Sequence, residues 1–262
     1  MPLDAAEVAI TGLAQYGAGD REWMAVDRDG RFVTQREFPR LALVDIALDG
    51  KALVLSAPDA AAVAVPLAGP ATASRDVTVW HSDVRGVDQG DAVAAWLSAF
   101  LESDLRLVRF DRATPRRCNP DYAGASGAHT FFADGYPILV IGSASLDDLN
   151  ARLQAHGEQA LPMNRFRPNL VVTGLDPYAE DHVETVACGP VMLKLVKPCT
   201  RCQVTTTDQA SGRVGIEPLP TLSTYRRNDA LGGVTFGMNA IVAAGAGGTI
   251  AVGAPVTIDY RF

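Results

Sequence analysis

Two Asp-Gly dipeptides, Asp29-Gly30 and Asp49-Gly50, each separate two apolar runs early in the chain. Such pairs supply the positive φ angles of tight hairpin turns, whose twist matches that of the flanking strands. WMAVDRDGRFVT (23–34) and LALVDIALDGKALVLSA (41–57) therefore predict antiparallel hairpins. RDVTVWHSDV (75–84) alternates at period two in its centre. A chain that begins this way is expected to form a small antiparallel β module.

DAVAAWLSAFLES (91–103) breaks the pattern. Val93, Trp96, Leu97, Phe100 and Leu101 share one helical face. A strand-like LRLVRF (105–110) follows, and a domain boundary is expected near it. YPILVIG (136–142) reads as a buried strand and SASLDDLNARLQAH (143–156) as a helix. Ser145 is the expected N-cap with Asp148 three residues on, and Leu146, Leu149 and Leu153 form the apolar face. NLVVTG (169–174), VMLKLV (191–196), CQVTTT (202–207), TIAV (249–252) and PVTIDY (255–260) read as strands. The expected class is α+β, mainly β, in two β-rich modules with a few helices.

With 262 residues, nearly half of them hydrophobic, the chain can bury a sizeable core. A net charge of −7 argues against a nucleic-acid surface. The only lysines are Lys51, Lys194 and Lys197, so almost all positive charge is arginine, suited to bidentate contact with phosphate and carboxylate. An arginine-rich codon bias accounts for the same count. No apolar run reaches bilayer-spanning length, and MPLDAAEVAITG has no signal-peptide pattern. The expectation is no membrane partner and a reducing, cytoplasmic setting.

KPCTRC (197–202) places Cys199 and Cys202 as a close dithiol. A structural zinc site needs about four ligands, and Cys118 and Cys188 stand alone. A thioredoxin-type pair opens a helix, whereas the β-branched run after Cys202 favours a strand. Two ordinary buried cysteines are the plain alternative. Against it, Lys194, Lys197 and Arg201 surround the pair with positive charge, which favours thiolate, a ligand for soft or high-valent metals.

Weaker signals accompany it. In NRFRPN (164–169), Arg165 and Arg167 bracket Phe166 and could grip an anion. In GDREWM (19–24), Arg21 stands between two acids, a pattern that equally suits a solvated ion pair. AAGAGG (243–248) lacks the Lys-Ser/Thr of a P-loop and is expected to be a hairpin loop. GASGAH (124–129) does not match a nucleophile elbow. The four histidines are scattered.

Taken together these pieces resemble the MOSC family, in particular its two-part, amidoxime-reducing type. The resemblance rests on GDREWMAVD (19–27), FVTQREFPRLALV (32–44), SASLDDLNARL (143–153), RFRPNLVVTG (165–174), YAED (178–181) and VKPCTRCQVTTTDQASG (196–212). LSTYRR (222–227), FGMNAIV (236–242) and GTIAVGAPV (248–256) extend it to the end of the chain. It implies an N-terminal MOSC β-barrel domain over 1–105 and a MOSC β-barrel domain over 106–262.

The resemblance further implies a pterin-based molybdenum cofactor (Mo-molybdopterin), with Cys202 as the molybdenum ligand. Arg21, Arg167, Asn169, Thr200 and Arg201 match cofactor-contacting positions. Ser143, Ala144 and Ser145 match a cofactor-lining turn, where a helix start suits an anion. The implied activity is reduction of N-hydroxylated small molecules with electrons from an external ferredoxin- or flavoprotein-type donor. The alternative is a cofactor or sulfur carrier, as in molybdenum-cofactor sulfurases. Relatives begin with a Tyr-Pro-Val-Lys-Ser strand, and this sequence starts just after that point, so a first strand is expected to be missing. No cysteines follow Cys202, so no iron–sulfur cluster is expected in this chain.

Overall fold

The computed structural model describes residues 3–68 and 73–261. The very ends of the sequence, Met1-Pro2 and Phe262, lie outside them. Strands dominate, in several small sheets and one large one.

The predicted Asp49-Gly50 hairpin forms as expected. Asp45–Leu48 pairs antiparallel with Ala52–Ala57, which pairs with Ala60–Pro66. Gly50 takes φ +85°, and the Asp49 carboxylate accepts the amides of Lys51 and Ala52. At Asp29-Gly30 the turn forms and the hairpin is short: the Asp27 amide donates to the Arg31 carbonyl and the Val33 amide to the Ala25 carbonyl. After Gly30 the chain makes only isolated bridges, Val26 to Phe32 and Arg31 to Thr78. Gly30 lies so close to the neighbouring strand that a Cβ would stand 2.6 Å from the Asp76 carbonyl oxygen. On its other edge Trp23–Asp27 forms a longer ladder with Leu105–Phe110. That strand also pairs with Ser82–Asp88, which forms a hairpin with Ser74–Val79.

The helix Asp91–Leu101 buries Val93, Leu97, Phe100 and Leu101 on the predicted face. They pack against Leu53, Leu55 and Val65 of the three-stranded meander and against Leu105 and Leu107. This burial forms one apolar core of the first module, and Met24, Val26, Val77, Val79, Val108 and Phe110 form a second with Phe131 and Phe132.

The large sheet runs in the order Leu170–Val172, Ile138–Gly142, Gly233–Ala244, Val191–Thr200, Val183–Cys188, Thr257–Tyr260. Its first pair is parallel. The helix Ser143–Ala155 follows Ile138–Gly142 and packs Leu146, Leu149 and Leu153 against Phe166, Leu222 and Phe236. The predicted Ser145 N-cap is corrected. The cap is Gly142, and Ser145 sits inside the first turn. Asp148 turns instead to Arg152 at 2.6 Å and to the Tyr178 hydroxyl at 2.8 Å.

Two further predictions are corrected. AAGAGG is not a hairpin loop: Thr249–Ala251 leaves the large sheet and pairs with Ala5–Ala9 near the chain start. CQVTTT is not a strand but a 3₁₀ turn over Gln203–Thr206. The Thr205 and Thr206 hydroxyls donate to the carbonyls of Cys202 and Gln203, bonds that compete with a sheet ladder. No helix among the described residues is long and apolar enough to cross a membrane.

Candidate functional site

The strand Val191–Thr200 carries Cys199, and Cys202 caps the 3₁₀ turn that follows. Both thiols are free and half-buried. They face different partners. Arg201 Nη1 donates to Cys199 Sγ at 2.9 Å, and Arg36 Nη2 donates to Cys202 Sγ at 2.9 Å. The sequence expectation that Lys194 and Lys197 charge this dithiol is corrected. Lys194 faces Glu184 at 3.7 Å, and Lys197 lies 4.8 Å from the Tyr122 ring centre. The charge comes from two arginines.

The segment before Leu170 divides its two arginines between two jobs. Arg165 braces the turn after Cys202, donating to the Thr206 carbonyl and pairing with Asp208, both at 3.0 Å. Arg167 stands at φ +52° with an exposed side chain that has no hydrogen-bond or ion-pair partner among the described residues. Crowding by protein, followed by the charges of Arg21 and Arg201, pushes its guanidinium below the usual range. Arg21, also at positive φ, donates to the Arg167 carbonyl at 3.3 Å and to Asp20 at 2.7 Å. The Asp20 charge outweighs burial and raises its pKa.

Asn169 acts one step back. Its amide oxygen accepts the Leu139 N–H at 2.9 Å, and its Nδ2 donates to Asp20 at 2.8 Å. Asp20 is thereby fixed between Asn169 and Arg21. Arg201 donates to the Phe166 carbonyl at 2.7 Å, and its Nε is buried without a partner. Thr200 is exposed at the end of its strand.

Register brings the helix start to the same end of the sheet. Val140 and Pro198 both lie opposite Met238 on the central strand, and their strands run in one direction. Gly142-Ser143 and Thr200 therefore leave the sheet together. Ser143, Ala144 and Ser145 are the first three helical residues, whose N–H groups have no acceptor within the helix. The Ser145 hydroxyl, in contrast, is spent internally. It is fully buried, donates to Glu180 at 2.7 Å and accepts from the Tyr178 amide.

Sequence reasoning singled out neither Arg36, Trp80 nor Asp20. Arg36 lies within FVTQREFPRLALV, but no periodicity or spacing marks one arginine in a loop as the partner of a thiol so distant in the chain.

Comparison with known proteins decides the family. Residues 1–104 match the MOSC N-terminal beta barrel domain, and residues 128–257 match the MOSC domain. Mitochondrial amidoxime-reducing component 1 of Homo sapiens is 37% identical over 235 residues, covering 87% of this chain and 68% of that protein. The chain belongs to the MOSC family. Mitochondrial amidoxime reducing component 2 of Rattus norvegicus is 36% identical, covering 85% of this chain and 67% of its own length. The component 1 protein of Mus musculus is 35% identical and covers 98% of this chain.

Within this MOSC chain the site carries surplus positive charge. Arg167 lies within electrostatic reach of Arg21 and Arg201, with Asp20 and Asp134 as the neighbouring carboxylates. Such a cluster suits an anionic ligand lying beside a thiol.

Proposed function

We propose that this protein binds the pterin-based molybdenum cofactor and reduces N-hydroxylated small molecules. The observation that carries the reading is a half-buried dithiol in which Cys199, three residues before Cys202, meets Arg201, one of a cluster of arginines with hydrogen-bonding capacity unspent. Arg201 Nε is buried without a partner and Arg167 has none among the described residues. A soft thiolate suits a metal such as molybdenum, and guanidinium groups suit a pterin phosphate. The residues present therefore fit the group. The names of the relatives, which describe amidoxime reduction, support the substrate class.

On this reading Cys202 Sγ would hold the metal. Arg21, Arg167 and Arg201 would orient the pterin and its phosphate, and Thr200 would line the approach. Asn169 would act through Asp20, keeping Arg21 in place. Ser143, Ala144 and Ser145 would offer backbone N–H groups. The Ser145 side chain would hold the helix start to Glu180. When bound, the cofactor would supply the chemistry by which an N-hydroxyl group takes up two electrons, from a ferredoxin- or flavoprotein-type donor, and two protons, leaving N–H and releasing the oxygen as water. A reducing, cytoplasmic compartment belongs to the same proposal, since all four cysteines are free thiols.

The test is turnover. Cofactor-loaded protein should reduce a hydroxylamine or amidoxime with an artificial one-electron donor. Cofactor binding with no turnover would overturn the reductase and favour a carrier.

A further inference from the structure

We propose that Arg36 is the positioning residue for the Cys202 sulfur and that Trp80 is the platform that aims it. The proposal rests on the reading of Cys202 as the metal-holding thiol. Cys199 is answered by Arg201 from its own segment, whereas Cys202 is answered from a distant part of the chain. The Arg36 guanidinium lies over the Trp80 ring, 4.6 Å from its centre. A planar guanidinium stacked on a ring donates along a fixed direction, which a lysine ammonium cannot do.

The platform is itself held. Trp80 Nε1 donates to Asp134 at 3.1 Å, and the Phe32 ring sits 5.0 Å away. Trp80 occupies the turn between Val79 and Ser82 at φ +54°, a conformation unfavourable for a bulky side chain. Glycine or asparagine would fit that turn without strain. Core packing does not explain the ring, because Trp80 is 39% exposed. Its contact with Arg36 does.

The strap bearing Arg36 is tied to the strap after Cys202. Gln35 and Gln209 exchange amide hydrogen bonds at 3.0 and 2.9 Å. Arg36 is thus fixed on both sides before any ligand arrives. In the loaded protein its N–H would orient the sulfur lone pairs and withdraw charge from the metal–sulfur bond, as outer partners of metal ligands do.

Two arms test this with Arg36→Met, Arg36→Lys and Trp80→Leu. The first uses cofactor-free protein with ¹³C-labelled cysteine, followed by NMR. In Arg36→Met the Cys202 Cβ resonance should move and its rotamers should average, while Cys118, Cys188 and Cys199 stay put. Arg36→Lys should not restore the wild-type signal, and Trp80→Leu should move it in the same direction by less. The second arm measures loaded protein. Arg36→Met should hold molybdenum about tenfold less tightly and shift the metal's reduction potential, again without rescue by lysine. An unmoved Cys202 resonance, movement of all four cysteines together, or full rescue by lysine would each overturn the proposal. Should wild-type protein take up no molybdenum, the proposed function falls, while the first arm still decides the role of Arg36.

Discussion

Two arginine clusters stand side by side, one anchored on Glu22 and the other on its neighbour Arg21. Glu22 is fully buried, and both its oxygens are filled. Oε1 accepts from Arg109 and Arg112, each at 2.8 Å, and Oε2 accepts from Arg112 at 2.7 Å and the Gly19 amide at 2.8 Å. Burial pushes this carboxyl up, but the hydrogen bonds from Arg112, Gly19 and Arg109 outweigh it and hold it below the usual range. Arg109 and Arg112 spend further N–H groups on the carbonyls of Leu67 and Gly17. Around Arg21 the balance is reversed, because Arg167 and Arg201 keep donors unspent. The same residue type fills its valences around a buried carboxylate in one cluster and leaves donors unspent in the other.

The sharpest way to break this comparison lies at the two cysteines on either side of Arg201. Cys202→Ser should lose essentially all bound molybdenum, whereas Cys199→Ser should keep much of it. Metal analysis of purified protein reads both, and equal loss would remove the asymmetry between the two sulfurs. At the closed cluster, Glu22→Gln leaves two arginines facing a neutral amide. It should cost about 3 kcal/mol of stability in a urea titration, because breaking a buried ion pair strands the remaining charge. A negligible cost would show that the closed cluster is not structural.

A smaller change is expected from Arg167→Ala. Stability should stay within about 0.5 kcal/mol, since no side-chain hydrogen bond or ion pair among the described residues is lost. Cofactor retention should weaken roughly tenfold, the scale of one charged hydrogen bond. Lost stability with unchanged retention would invert the reading.

Another test of the closed clusters uses acid. Asp88 is another closed carboxylate, held by Arg106, the Gly90 amide and Arg75. Burial raises its pKa, but these partners more than offset it and bring the value down to about 2. A depressed folded value gives stability that is present above the unfolded carboxyl pKa of about 4. That contribution should disappear as pH falls from about 4 toward about 2. Asp88→Asn should flatten this part of the stability profile, and an unchanged slope would count against the network.

Local patterns were legible where chemistry and neighbours in sequence agreed. The Asp49-Gly50 hairpin, the Val93–Leu101 helix face and the Leu146, Leu149, Leu153 stripe each depend on contacts a few residues apart. The Asp29-Gly30 turn shows the limit. Its geometry was readable and Val26 does bridge Phe32, but the long ladder of Trp23–Asp27 forms on its other edge with the distant Leu105–Phe110. The threonine run after Cys202 failed similarly, because side-chain hydroxyls bonded their own backbone and made a 3₁₀ turn.

By itself, the sequence determined the mainly β class, the family likeness and the presence of a dithiol with Arg201 between its cysteines. These follow from residue type and short-range spacing. Only the tertiary structure decided which arginine meets which sulfur, which guanidinium groups are spent, and that Ser145 turns inward to Glu180. Those choices depend on where distant segments are brought together and on which polar groups burial leaves without water, and no local spacing records either.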